Sequence, residues 1–385
     1  MKNNKSTVSV RSGLNNDKQH GCVVSPITLS TTYNFFEFNK PRLYDYSRRK
    51  NPTRDIVQKT VADLEQGKNA IITSSGMSAI YLICIALLNS DDCLIAPYDC
   101  YGGTYRLLNA LNSKKVCRVQ FVNQNDTELM LKCLKQKDVK LVFIETPSNP
   151  MLRVVDIRYM CSLKERDDIV YVVDNTFMTP IFQNPLNLGA DLVVHSCSKY
   201  LNGHSDVILG AVISKDIYLH EKLMWWSNAL GITGGAFDSY QLLRGIRTLS
   251  IRVCQQQCNT KNIVDFLLKQ PQIKSIYYPG LYSHVGYKIA CQQQTGFGSI
   301  FSFELKGTEG VVSKFLKSLK LFTLAESFGG VESLIAHPET MTHAAMSKQS
   351  RDTAGINNML LRVSVGLEDS VDLINDLDQA LQSIS

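Results

Sequence analysis

Short apolar runs alternate with helical patterns through the middle of the chain. The runs are Ala70-Ile-Ile72, Leu94-Ile-Ala96, Arg118–Val122, Leu141–Ile144, Val170–Val173, Leu192–Val194 and Val207–Ile213. Between most of them lie stretches long enough for a crossover helix, such as Met77–Leu88 and Thr127–Leu134. Continuous apolar runs joined in this way predict a mainly parallel, seven-stranded α/β sheet covered on both faces. The last two runs are close in sequence, so one edge or antiparallel strand is expected.

Ahead of this region, the segment to about Arg54 has no strong periodicity and reads as an extended arm, which suits a chain that lies on a partner subunit. Ile56, Val57, Val61 and Leu64 recur at helical spacing, with Gly67 as the expected cap. After Lys222 the pattern turns to helix and loop, then to a long helix over Arg252–Leu268. Ser299–Glu304 and Leu361–Val365 read as strands, with helices near Val311–Leu319 and Val371–Leu381, which describes a smaller α+β unit. The expected organisation is an arm over 1–54, a large α/β domain over 55–250 and an α+β domain over 251–385.

Composition narrows the class of function. A formal charge of +6 is spread over 385 residues with no run of five or six like charges, which gives no support for nucleic acid or a membrane surface as partner. The 11 cysteines are scattered between Cys22 and Cys291 without a CxxC pair or zinc-ligand spacing, as expected for free thiols in a reducing compartment. No apolar run approaches the ~20 residues of a membrane span. The start, Met1-Lys-Asn-Asn-Lys-Ser, is polar, so cytoplasmic residence is expected and no metal is.

The candidate chemistry sits where apolar runs end. Leu192–Val194 runs into His-Ser196-Cys-Ser198-Lys199, so Lys199 falls at the carboxyl end of a strand, where open α/β sheets bind ligands. A lysine in a partly dry pocket has its pKa lowered, which suits reaction with an aldehyde and general-base work. Asp174 ends its own run and can keep a cofactor's pyridine nitrogen protonated. Ser74-Ser75-Gly76-Met77 opens a helical pattern, which builds a phosphate site from free N–H groups. Tyr101, before two glycines, offers a stacking ring; Tyr46 and Arg48 offer a hydroxyl and a guanidinium for phosphate, and Arg362 a fork for a carboxylate. Singly, each has a plainer reading: a surface lysine, a helix cap, a loop aromatic, a solvated basic arm, a salt-bridged arginine. Their joint occurrence favours one pyridoxal-phosphate site.

These residues resemble one family, the cysteine and methionine metabolism branch of the pyridoxal-phosphate enzymes with the aspartate-aminotransferase-like fold. The similar stretches are Asp45-Tyr-Ser-Arg-Arg, Ser75-Gly-Met, Tyr101-Gly-Gly, Val173-Asp-Asn-Thr-Phe, Ser196-Cys-Ser-Lys-Tyr-Leu-Asn-Gly-His-Ser, Leu243-Arg-Gly-Ile-Arg-Thr-Leu and Glu326-Ser-Phe-Gly-Gly-Val-Glu-Ser-Leu. The resemblance implies pyridoxal 5'-phosphate as cofactor, with Lys199 as the lysine that joins its aldehyde, Asp174 at the ring nitrogen and Tyr101 stacked and available for proton transfer. It places Gly76, Met77, Ser196 and Ser198 at the phosphate, joined by Tyr46 and Arg48 from a neighbouring subunit. Ser327 and Arg362 would bind the substrate α-carboxylate, with Asn149 near the ring oxygen. Arg49 and Arg106 become candidates for a distal carboxylate, and Glu326 and Asp45 for an incoming amino group. Asp45–Arg54, Asp99–Arg106, Trp225-Trp226 and Ile232–Tyr240 resemble the family's bacterial γ-synthases in particular. Methionine-cleaving members carry a cysteine at Gly103 and lack Glu326, and β-cleaving members have Trp and Tyr around Ser327–Val331. The implied activity is γ-replacement on O-succinylhomoserine by cysteine, with γ-elimination of cystathionine and sulfide addition as alternatives. The substrates are then small amino acids, and the expected assembly is a homotetramer, a dimer of dimers with active sites shared across subunits.

Overall fold

The computed structural model describes residues 3–344 and 346–384. Its larger sheet is built from β1 (Asn69–Thr73), β2 (Cys93–Pro97), β3 (Arg118–Val122), β4 (Val139–Glu145), β5 (Val170–Asp174), β6 (Leu192–Ser196) and β7 (Gly210–Ser214), in the order β1-β7-β6-β5-β4-β2-β3. β2 to β6 pair in parallel, whereas β7 is antiparallel to both of its neighbours. The expected antiparallel strand therefore exists, but it lies inside the sheet and not at its edge. No crossover helix separates β6 from β7, so the chain reverses directly, and β1 pairs with the free side of β7. The apolar run from Val207 becomes strand only at Gly210.

Helices cover both faces, as continuous apolar strands require. Val57, Val61 and Leu64 of the helix Pro52–Glu65 pack with Val193, Ala211 and Ile213 on one side. Ile80 and Ile83 of the helix Gly76–Leu87 pack with Leu94, Val194 and Val212 on the other. The first of these helices is capped by Gln66, at φ +60°, and not by Gly67. Gly67 is required by packing instead, because a Cβ there would stand 2.5 Å from Ile213 Cγ2. The arm carries a short helix, Lys5–Arg11, that the pattern did not announce.

The smaller sheet consists of β8 (Ile273–Tyr277), β9 (Ile300–Leu305), β10 (Thr323–Leu324), β11 (Leu334–Ala336) and β12 (Leu360–Ser364), in the order β10-β11-β12-β9-β8. Leu361 and Val363 share a core with Ile263 of the helix Leu249–Leu267, Phe315 of the helix Glu309–Ser318 and Leu377 of the helix Ser370–Gln382. Alternation then turns Arg362 away from that core, toward the loops at the edge of the larger sheet. Among the described residues no helix is long and apolar enough to cross a membrane.

One close approach ties the sheet to its functional edge. A Cβ on Gly210, the first residue of β7, would stand 2.1 Å from the carbonyl oxygen of Ser75. Gly210→Ala is expected to push the Ser75 turn away from β6, to lower stability by about 1–3 kcal/mol and to weaken anion binding at the following helix. Urea unfolding and phosphate-ester titration of the purified variant check both effects.

Candidate active site

Because β1, β2, β4, β5 and β6 run the same way, their carboxyl ends deliver Ser75, Tyr101, Glu145, Asp174 and Ser196 to one edge. With Lys199 and, from the smaller sheet's side, Ser327 and Arg362, they line a cavity of about 340 Å³. That size suits a small cofactor with a substrate.

Lys199 lies in the turn that follows β6, and its Nζ donates to Ser327 Oγ at 2.6 Å. Burial, and next the Arg362 guanidinium, pull its pKa down to about 8, with Glu326 opposing them. Arg362 is buried, which lowers its own pKa to about 10. Its Nη1 donates to Asn149 Oδ1 at 3.0 Å and its Nη2 to the Ser327 carbonyl at 2.7 Å, whereas Nε is buried with no partner among the described residues. Ser327 holds φ at +94°, a region costly for a residue with a side chain. Both of its oxygens are thereby engaged, one by each cation. The Phe328 ring lies 5.2 Å from Lys199 Nζ and 5.4 Å from Arg362 Cζ.

Asp174 ends β5 and accepts from the Thr176 N–H at 2.9 Å and from the Thr176 hydroxyl. Burial raises its pKa, while Thr176 and His195 act against the rise. Thr176 Oγ1 in turn accepts the Ser196 N–H at 2.9 Å, so one hydroxyl links the ends of β5 and β6. Beneath them His195 Nε2 meets the buried Glu65 Oε1 at 2.6 Å, and Asn175 Nδ2 donates to the same oxygen at 2.7 Å.

Four of the residues expected at a phosphate, Gly76, Met77, Ser196 and Ser198, lie together. Ser75 caps the helix Gly76–Leu87 by accepting the Ser78 N–H at 3.0 Å. The Gly76 and Met77 N–H groups lack intrahelical acceptors, as first-turn donors do. A Cβ on Gly76 would stand 2.9 Å from Ser196 Cβ, so glycine lets the helix end close on the turn after β6. Ser198 accepts the Leu209 N–H at 3.1 Å and lines the same cavity. The Tyr101 ring lies over the start of its helix, where a Cβ on Gly103 would stand 2.5 Å from Tyr101 Cε1. Helix-end donors, an acid at the strand end, an exposed aromatic face, a lysine of lowered pKa and an unpaired guanidinium nitrogen fit pyridoxal phosphate with an amino-acid carboxylate.

Other expected residues are not brought to this cavity within one chain. Arg48 Nε donates to Asn228 Oδ1 at 3.0 Å, and Tyr46 and Arg48 line a separate opening near Gly234. Asp45 and Arg49 form an ion pair at a second cavity, beside Trp225. Arg106 is exposed on the helix Gly102–Ser113. Glu326 and Asn149 do line the Lys199 cavity. Glu145 and Thr176 were missed by sequence reasoning. Glu145 ends the run Leu141–Ile144 as Asp174 ends its own, a signal that was legible; nothing marked Thr176.

A lysine of pKa about 8 becomes a neutral nucleophile well below the ordinary lysine range. The rate at which cofactor-free protein takes up pyridoxal phosphate is therefore expected to rise with pH up to about 8 and to level off above it. Stopped-flow absorbance across that range checks this; a rate still climbing about tenfold per unit at pH ~9 contradicts it.

Residues 6–382 match the family described as Cys/Met metabolism PLP-dependent enzyme. The chain is 55% identical over 383 residues to the cystathionine gamma-synthase of Escherichia coli (strain K12), covering 100% of this chain and 99% of that one. It is 41% identical over 380 residues to the cystathionine gamma-lyase of Bacillus subtilis (strain 168), covering 99% and 100%. Among solved structures it is similar to cystathionine gamma synthase from Xanthomonas oryzae pv. oryzae in complex with aminoacrylate and cysteine, with a TM-score of 0.98, 46% identity and coverage of 100% and 99%. A second structure of that enzyme, in complex with cystathionine, matches equally, with a TM-score of 0.98. With this cavity in place and the family match running over residues 6–382, the chain belongs to the pyridoxal-phosphate-dependent enzymes of cysteine and methionine metabolism.

Proposed function

We propose that this enzyme carries out γ-replacement, in which the cysteine sulfur bonds to Cγ of O-succinylhomoserine, the Cγ–O bond breaks, and cystathionine and succinate leave. The observation that carries this reading is identity of 55% over the full length to a γ-synthase, against 41% to a γ-lyase. The reaction would serve methionine biosynthesis by transsulfuration.

Bound pyridoxal phosphate supplies an electron sink for the charge that develops at the substrate's Cα. Lys199 would hold the cofactor at rest and, as a free amine during turnover, would take the Cα proton, hand it on, and so be free again to take a Cβ proton. Its lowered pKa keeps part of it unprotonated near neutrality, as a base must be. Asp174, fixed by Thr176, holds a proton at the ring nitrogen. Gly76, Met77, Ser196 and Ser198 would hold the phosphate, and Tyr101 would stack on the ring and pass protons at its hydroxyl. Arg362, with its Nε unpaired and its other two nitrogens anchored by Asn149 and Ser327, would receive the α-carboxylate.

Tyr46, Arg48, Asp45 and Arg49 lie outside the Lys199 cavity of their own chain and would act in a neighbouring copy. Tyr46 and Arg48 would join the phosphate, Arg49 with Arg106 the distal carboxylate, and Asp45 with Glu326 the amino group of the incoming cysteine. The arm and the neighbouring helix expose Phe38 at 91%, Leu43 at 68% and Trp225 at 64%, an apolar surface that suits a homotetramer assembled as a dimer of dimers.

Steady-state assays of the holoenzyme test the reading. kcat/KM for O-succinylhomoserine with cysteine is expected to exceed that for cleavage of cystathionine alone by about tenfold or more, a difference of ~1.4 kcal/mol in barrier. Equal or faster cystathionine cleavage would make the enzyme a γ-lyase, and preference for sulfide over cysteine a sulfhydrylase.

A further inference from the structure

Glu145 has no part in the roles above, yet it occupies the floor of the same cavity. It ends β4 in register with Asp174 at the end of β5, so the two carboxyl groups project on one side of neighbouring parallel strands about 4.8 Å apart. Glu145 is buried, and its Oε2 accepts the Tyr101 N–H at 2.9 Å while its Oε1 accepts the Asn149 N–H at 3.1 Å. Those two donors belong to the stacking tyrosine and to the asparagine that anchors Arg362. Two adjacent carboxyl groups in a site of low polarity do not both ionise; one keeps a proton.

The surroundings decide which. Asp174 receives both the N–H and the hydroxyl of Thr176, and His195 on β6 favours its ionised form. Glu145 likewise receives two donors, both main-chain N–H groups. It faces a second like charge in Asp99, whose carboxylate pairs with Arg153 at 2.7 Å and accepts the Ser148 hydroxyl at 2.8 Å. Its other titratable neighbour, Cys100, is a buried thiol with a pKa pushed up first by burial and then by Glu145. Lys199 and Arg362 line the same cavity but are engaged by Ser327 and Asn149. Burial first, then Asp174, raises the Glu145 pKa.

We propose that Glu145 is the proton-carrying member of the pair and acts as a positioning residue: as a neutral acid it fixes the main chain of Tyr101 and Asn149, and it leaves Asp174 as the ionised carboxylate at the cavity floor. A neutral carboxyl accepts both N–H bonds and still carries one O–H. Removing the negative charge from Glu145 also removes the repulsion that would otherwise push the proton onto Asp174. The proposal rests on the reading of Asp174 as partner of the ring nitrogen.

Infrared spectroscopy of the holoenzyme near neutral pH tests it. The carbonyl-stretch band of a protonated carboxylic acid is expected, moving on exchange into heavy water. It should shift when glutamate side-chain carboxyls carry heavy carbon, stay put when aspartate carries it, and be lost in Glu145→Gln. The other buried glutamates have side-chain partners of their own, Glu65 in His195, Asn175 and Asn184, and Glu304 in Lys274, Tyr277 and Asn357. Absence of the band, a band that follows the aspartate label, or one that survives Glu145→Gln overturns the proposal, and the first two outcomes need no variant. The Asp174 reading is tested apart from this by the cofactor absorption of Asp174→Asn holoenzyme, which shifts from wild type if Asp174 holds the ring-nitrogen proton and is unchanged if it does not.

Discussion

Two cations share one cavity in this enzyme, and much of the site follows from how that is tolerated. Lys199 and Arg362 converge on Ser327, with the Phe328 ring near both and Glu326 as the opposing charge at Lys199. Desolvation and mutual repulsion are relieved when the weaker base gives up its proton, and Lys199 is that base. The arginine stays charged, anchored through two of its three nitrogens. The lowered pKa of Lys199 and the open Nε of Arg362 are thus two results of one arrangement. The unusual backbone of Ser327 is part of it, since that residue presents its hydroxyl to one cation and its carbonyl to the other.

The sheet supplies the opposite charge. Parallel strands bring their carboxyl ends to one edge, and β4 and β5 each end in an acid there. The antiparallel strand of the larger sheet, β7, matters for the same edge: Gly210 opens it against the Ser75 carbonyl, letting the start of the helix Gly76–Leu87 sit beside Ser196. Position in the fold and charge in the site are therefore coupled through a few close main-chain contacts more than through the bulk core.

The parts of this arrangement that were legible in the sequence are those with a local signature. Each of the seven strands of the larger sheet announced itself as an apolar run, and the helix Thr127–Leu134 is where the spacing put it. Lys199, Asp174, Gly76 and Tyr101 all stood at the ends of such runs, and the structure places them around one cavity. What was not legible depends on residues far apart in the chain. β10 and β11 are too short to show a period. The Glu65–His195 pair spans 130 residues, and the positive φ of Ser327 goes with contacts to Lys199 and Arg362 that no local pattern reports. The short link after β6 announces that β7 is antiparallel, as it is, but does not say which strand lies beyond it. Gly67 was misread as a cap because a glycine needed for packing against Ile213 looks, in sequence, like one needed for a left-handed turn.

Reduction of the holoenzyme with borohydride followed by peptide mass mapping tests most directly whether Lys199 is the one lysine that holds the cofactor. A single peptide, the one containing Lys199, is expected to carry the reduced cofactor's mass. The same mass found on any other lysine, with the Lys199 peptide unmodified, would contradict it.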